Sequence, residues 1–359
     1  MGMEWLIECF PKYKIIAEFD NIDEKGNIEV HGIAKQENAV CKFCGNPFKK
    51  WKKNDVAHAV SECLGNKRLI TYCECYECNH LFGEISENHL GKYMMPYRII
   101  NEVYGKGKAK NTVKDMPTTE GISYGTYRFE QKKNVSIFES KTFDIRNLLI
   151  EKNGTGRLIK TDNGGYLLSI PRQKYQPEMV YASLMKIAYT LLPFSELDDY
   201  IKGIMLLYLG LSGKALFDES GNEIVKSLTE EERKKYVEGL PNIGWEIIIC
   251  NSVNKKEINV CLLKKEEETG SEPNLLFAFQ MGWHILVIPI LSDNYVSGEN
   301  CKFNILQKDY MMVRGLDFRK IEDEYVMGFN ATEIEIPKEL YDELASDLRK
   351  SNLLLRPSD

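Results

Sequence analysis

Four cysteines stand in two identical hooks, Cys41-x2-Cys44 and Cys75-x2-Cys78. Thiolates at this spacing can close a tetrahedral site around Zn²⁺. Between the hooks lie His58, in Ala57-His58-Ala59-Val60-Ser61-Glu62, and a turn-like Leu64-Gly65-Asn66-Lys67; Asn79 follows the last cysteine directly. A histidine and an asparagine held inside such a clip suggest a reaction centre and not only a staple. Plainer readings stand beside this one. His58 suits an ordinary strand, Asn66 after Gly65 suits a turn, and Asn79 suits a helix N-cap. Cys73 makes Cys73-x-Cys75-x2-Cys78 and offers a ligand swap.

These residues need elements to position them. Thirty residues separate Cys44 from Cys75, more than the usual zinc-finger loop, so a hairpin has to fit between the hooks. Phe48 to Ala59 reads as a strand, Ser61 to Arg68 as a loop and Leu69 to Tyr72 as a second strand. From Asn79 to Lys92, the residues Leu81, Phe82, Ile85, His89 and Leu90 fall near helical spacing. Zinc would then tie the base of the hairpin to the start of the helix. The segment Lys49-Lys50-Trp51-Lys52-Lys53 precedes His58 in the same hairpin. Lysines interleaved with a tryptophan can hold and stack on a nucleic-acid backbone, or simply protect a strand edge. Lys67, Arg68 and the Lys106–Lys110 arm would extend that track.

This strand–loop–strand–helix order resembles the HNH endonucleases of the ββα-metal class, in the branch that carries a Cys-x2-Cys…Cys-x2-Cys zinc. The resemblance covers residues 41 to 93, about one seventh of the chain. It is carried by the hooks, by Ala57-His58-Ala59-Val60-Ser61-Glu62, by Leu64-Gly65-Asn66-Lys67, by Asn79, and by Phe82-Gly83 and Glu87. It implies hydrolysis of phosphodiester bonds, with DNA as the expected partner. His58 would take the proton from water, as an imidazole can near neutral pH. Asn66 is the candidate for orienting its ring. One Mg²⁺ or Mn²⁺ would act as Lewis acid at the scissile phosphate, with Asn79 among its ligands. Many HNH enzymes place a metal-binding Asp or His just before the base, where this chain has Ala57. Glu62, His80 and Glu87 are the available substitutes, Glu62 slightly preferred. A second reading is a non-catalytic zinc module, on a degenerate HNH framework, that binds nucleic acid or protein. A redox role for the Cys-x-x-Cys pairs is a third.

The remaining residues set the frame. The chain has 359 residues, is 43% hydrophobic and carries a net charge of −6, so it has room for more than one folded domain. Residues 41 to 114 hold thirteen Lys and Arg against seven Asp and Glu, a balance of +6 that leaves −12 for the rest. A basic module on an acidic body is the asymmetry expected if one part meets phosphates. The first ten residues lack a secretory pattern, no apolar run reaches membrane-spanning length, and the six cysteines scattered outside the hooks suit a reducing cytoplasm.

The expected fold class is α+β. A zinc-pinned ββα-metal module would be followed by a larger mixed α/β domain with antiparallel strands. Residues 1–36 read as a strand extension, 37–104 as the module, 105–114 as a basic linker, and 115–359 as a domain for regulation or targeting. That domain would engage an activating ligand or protein partner, as in anti-phage defence effectors, and paired cuts would suit a homodimer. Met179 to Leu192 reads as an apolar helix and Glu339 to Asn352 as a closing helix. Trp245–Cys250, Ile258–Leu263 and Leu275–Ile290 read as neighbouring antiparallel strands.

Overall fold

Strand β1 (Tyr13–Phe19) follows a one-turn helix α1 (Leu6–Cys9) and a two-residue strand β2 (Ile28–Glu29) comes after it. The chain then builds β3 (Ala57–His58), β4 (Leu69–Thr71), α2 (Tyr76–Phe82) and α3 (Asn88–Ile100). Helix α4 (Pro177–Leu191) leads to five long strands: β5 (Gly244–Cys250), β6 (Ile258–Lys265), β7 (Leu275–Met281), β8 (His284–Ile290) and β9 (Met311–Asp317). These elements come from a computed structural model. It describes residues 2–35, 39–47, 56–101, 103, 158–196, 257–267 and 272–290, and shorter stretches, mostly helix and strand, elsewhere.

Contacts group the chain into two units, each drawn from two separate stretches: 1–109 with 175–321, and 110–174 with 322–359. The sequence read by itself suggests four consecutive segments. The difference arises because β1 hydrogen-bonds to β6, with Tyr13 opposite Lys265 and Phe19 opposite Val260. Pairing across some 240 residues of chain leaves no local mark in the sequence.

In the first unit the sheet runs β1-β6-β7-β8-β5-β9, antiparallel throughout. Leu275–Ile290, which reads as one apolar stretch, is a hairpin, because Gly282 takes a positive φ of 58° and turns the chain between Met281 and His284. Cys261, Leu263, Leu276, Ala278, Ile285 and Val287 pack with Met3, Leu6 and Phe10 of the N-terminal turn. The alternate residues Val260, Leu262, Phe277, Phe279, Leu286 and Ile288 are also buried. Successive side chains point to opposite faces, so both faces are covered, which explains the near-continuous apolar runs. Helix α4 is apolar all round and buried along almost its whole length, as such helices must be. Its Tyr181 hydroxyl donates to the Pro289 carbonyl of β8 at 2.8 Å.

A small sheet, β2-β4-β3, sits in the same unit; β2 runs parallel to β4, and β3 antiparallel to it. The helix expected at Asn79–Lys92 begins earlier, at Tyr76. It runs through a π-helical turn, Gly83–Glu87, into α3.

The second unit has a three-stranded antiparallel sheet of Leu158–Lys160, Gly165–Pro171 and Glu324–Asn330. Antiparallel pairs form between Met116–Thr118 and Gly121–Ser123 and between Tyr127–Lys132 and Val135–Ser140, and a parallel pair, Ile334–Ile336 with Leu355–Pro357, lies on either side in sequence of the helix Lys338–Leu348. Helices beside antiparallel sheets make the chain α+β. Among the described residues no helix is long and apolar enough to cross a membrane.

Candidate metal centre and the histidine beside it

The first hook is a tight knuckle. Gly45 donates to the Cys41 carbonyl at 2.9 Å and Cys41 donates to the Asn46 carbonyl at 2.9 Å. Gly45 sits at φ 75°, a conformation glycine reaches without strain. The second hook opens α2: Cys75 is its N-cap, and its sulfur accepts from the Cys78 amide at 3.4 Å. The Cys75 amide in turn donates to the Cys41 sulfur at 3.4 Å, so the hooks touch each other.

All four sulfurs lie within 4.8 Å of one another, and Cys44 and Cys75 are 3.7 Å apart. Tetrahedral Zn–S bonds place sulfurs about 3.8 Å apart, so the donor set and its spacing are compatible with a structural zinc. Hydrogen bonds from the neighbouring thiols, Cys41 first, pull Cys44 below the ordinary thiol range, and the same crowding pushes Cys78 above it. Among the described residues this is the only group of three or more His, Cys, Asp or Glu arranged to hold a metal. Cys73 lies outside it, buried, with its amide donating to Thr71 Oγ1 at 3.1 Å.

His58 stands at the end of β3, opposite Ile70 of β4. The chain then passes through a 3₁₀ turn, Glu62–Leu64, that closes on Gly65 at φ 95°. A side chain at Gly65 would collide with Ile258 Cδ1 at 2.5 Å and Val103 Cγ1 at 2.6 Å. Asn66, buried at 1% exposure, ties the loop shut. Its Nδ2 donates to the Val60 carbonyl at 2.6 Å and the Leu69 carbonyl at 2.8 Å; its Oδ1 accepts from the Leu69 amide at 2.8 Å and the Arg68 amide at 3.2 Å. The same Nδ2 lies 3.4 Å from His58 Nδ1. Both amide hydrogens already go to carbonyls, so this last contact places the ring without donating a proton to it.

The other ring nitrogen, Nε2, lies 3.4 Å from Glu62 Oε1, and both side chains are partly exposed, at 25% and 35%. Glu62 is thus the metal-ligand candidate that shares the face of His58. His80 and Glu87 are engaged elsewhere. His80 Nε2 pairs with Glu84 at 3.1 Å and its ring stacks on Tyr76. Glu87 Oε1 accepts from Lys186 at 3.2 Å. Asn79 sits one turn into α2, half-buried, its amide bonded to the Cys75 carbonyl at 3.0 Å. Of the basic track, Lys67 is exposed and Arg68 pairs with Glu24 at 2.9 Å. Lys49, Lys50, Trp51, Lys52 and Lys53, and the arm 106–110, lie outside the described residues.

Three charged residues around the hooks escape sequence reasoning. Lys42 lies between Cys41 and Cys44, and burial lowers its amine to about 8. Glu74 and Lys186 are fully buried, 3.0 Å apart. Burial raises the Glu74 carboxyl to about 7 despite the opposing pull of Lys186, and the two carboxylates that face Lys186 hold it above its ordinary range. One signal was legible: Lys186 is the lone charge in the apolar run from Met179 to Leu192, and a buried lysine demands a partner. No protein-family model, curated protein or solved structure matches this chain.

Proposed function

We propose that this protein is a metal-dependent HNH-type endonuclease that hydrolyses phosphodiester bonds of DNA. The observation that carries the reading is the His58–Glu62 pair, half-open to solvent, on a hairpin whose loop is closed by the Asn66 side chain, followed by a helix that starts at a tetra-cysteine cluster. Zn²⁺ in that cluster would be structural, since four thiolates leave no open position for substrate.

His58 serves as general base. Its Nδ1 faces the buried Asn66 amide and its Nε2 faces the partly exposed Glu62, so Nε2 is the nitrogen that meets water. Glu62 would supply the anionic ligand that Ala57 does not, and Asn79 the neutral one. A bound Mg²⁺ or Mn²⁺ would supply Lewis acidity at the phosphate and the leaving oxygen. Lys67, and the lysines on either side of Trp51, would hold phosphates and read little sequence. Residues outside the module would control access or targeting through a ligand, a protein partner or a second copy of the chain, in the manner of a cytoplasmic defence effector.

One observation favours a second reading, a zinc module that binds nucleic acid or protein without cutting. Ala57 is buried at 3% exposure and offers no ligand, while Arg68 is taken up by Glu24. Purified protein incubated with plasmid DNA and Mg²⁺ or Mn²⁺ decides between them. Cleavage should fall by about two orders of magnitude or more in His58→Ala, the scale set by loss of a general base, with zinc content unchanged. Glu62→Gln should raise the metal concentration needed for half-maximal cleavage. Undiminished cleavage in His58→Ala removes the mechanism; no cleavage by the parent chain with either metal favours the binding module.

A further inference from the structure

Two lysines run in opposite directions between the cysteine hooks and one helix, α4. Lys42 reaches out of the first hook. Its Nζ donates to the carbonyls of Tyr189 at 2.7 Å, Leu192 at 2.9 Å and Thr190 at 3.3 Å. These close the C-terminal end of α4, where carbonyls have no amide of their own helix to accept from and where the helix dipole favours a cation. The Tyr189 and Phe194 rings lie 5.0 and 5.4 Å from the same ammonium.

Lys186, one turn earlier on α4, runs back the other way. Its Nζ lies 3.0 Å from Glu74 Oε2 and 3.2 Å from Glu87 Oε1. Glu74 immediately precedes Cys75. Phe43, inside the first hook, packs edge-on against Phe82 at 4.9 Å and against Tyr189 of α4 at 5.6 Å. The Lys42 amide also donates to the Cys73 carbonyl at 2.8 Å, joining hook to hook. Both hooks are therefore fastened to the same helix by charge, half-buried at Lys42 and fully buried at Lys186, and to each other by backbone.

We infer that Lys42 and Lys186 are positioning residues for the metal: α4 holds the four thiols in place and sets how slowly zinc leaves. Opening a hook requires a sulfur to swing away from the ion. Here that movement also pulls an ammonium off three carbonyls, or a carboxylate off a buried lysine. Groups that fix metal ligands from outside the coordination sphere typically change metal retention by about tenfold to a hundredfold. The inference rests on zinc being the ion that the four thiols hold, and is independent of the nuclease reading.

The test follows zinc release from the full-length, zinc-loaded protein into excess 4-(2-pyridylazo)resorcinol, whose zinc complex is read by its absorbance. Lys42→Met keeps the packing of the stem and removes the donors. It should release zinc about tenfold faster or more than the parent, while Lys42→Arg, which keeps charge and donors, stays nearer the parent. Glu74→Gln combined with Lys186→Met removes the second tie without stranding the lysine and should accelerate release in the same sense. It also keeps the question answerable if Lys42→Met does not fold. His284→Gln, in the same unit but away from the hooks, should release zinc at the parental rate. Parental rates in both tie variants, or equal acceleration in His284→Gln, overturn the inference. A purified parent chain without about one zinc per molecule overturns the zinc reading itself.

Discussion

Asn66 ties the hairpin loop shut. Four backbone groups of the loop bond to its amide, although the Leu69 carbonyl also accepts from the Ala59 amide and the Arg68 amide also donates to the Ile22 carbonyl. Asn66→Ala strands buried donors and acceptors at about 1–3 kcal/mol each where water cannot replace the partner, so the variant should lose roughly 3 kcal/mol or more in urea denaturation, and His58 its alignment with it. That a residue after Gly65 would sit in a turn was legible from the dipeptide. That its side chain would close the loop around His58 was not, because the carbonyls of Val60 and Leu69 are silent in a sequence. His284 carries a second prediction. Its Nδ1 lies 2.9 Å from Asn101 Nδ2, and burial lowers its pKa from the usual 6.5 to about 4. The fold therefore prefers the neutral ring. The associated stability is present above pH 6.5 and is lost as pH falls toward 4. Between pH 7 and pH 5 the parent should lose about 2 kcal/mol more than His284→Gln, read as the difference between their urea midpoints.

At the scale of elements, the long strands and helix α4 were readable because each has a clear hydrophobic pattern. The strands β5, β6, β7 and β8 stand where the apolar stretches stand, and α4 lies within two residues of the expected helix. The strand expected from Phe48 to Ala59 shows only Ala57–His58 among its described residues, since residues 48–55 lie outside them. The helix after the second hook is harder to read. Its π turn and an internal Pro96 break the 3.6-residue rhythm on which a periodicity argument depends. Lys186 is the test of how α4 is seated. Lys186→Ala leaves the Glu74 carboxylate buried with no cation, which should cost about 3–5 kcal/mol. Removing Lys186 and Glu74 charge together, as Lys186→Met with Glu74→Gln, should restore most of it. A thermal or urea melt of both variants checks the contrast.

For the molecule as a whole, the first unit joins two separate stretches of the chain, 1–109 and 175–321. β1 is an outer strand of the six-stranded sheet, and Ile22 donates to the Ile258 carbonyl at 2.9 Å while its own carbonyl accepts from Lys67 at 2.8 Å. The hairpin loop is thereby pinned to β6, and the hooks to α4. A fragment of residues 37–104 should therefore fail to fold stably even with Zn²⁺ present, in contrast to a module that stands alone; circular dichroism and amide exchange of the fragment would show it. The sequence by itself determined the donor set of the candidate metal centre, since two Cys-x2-Cys hooks present four soft ligands whatever surrounds them. It also located helix α4 and the apolar strands β5 and β6, because side-chain periodicity follows from backbone geometry, while the hairpin within Leu275–Ile290 and strand β9 were not read from it. That Glu62 can reach His58, four residues away, was legible locally; only the tertiary structure decided that Lys42 and Lys186 fasten the hooks to a helix about 100 to 150 residues away in the chain. Those pairings are made by through-space contacts between side chains, and nothing in the local pattern of either partner records which distant group it will meet.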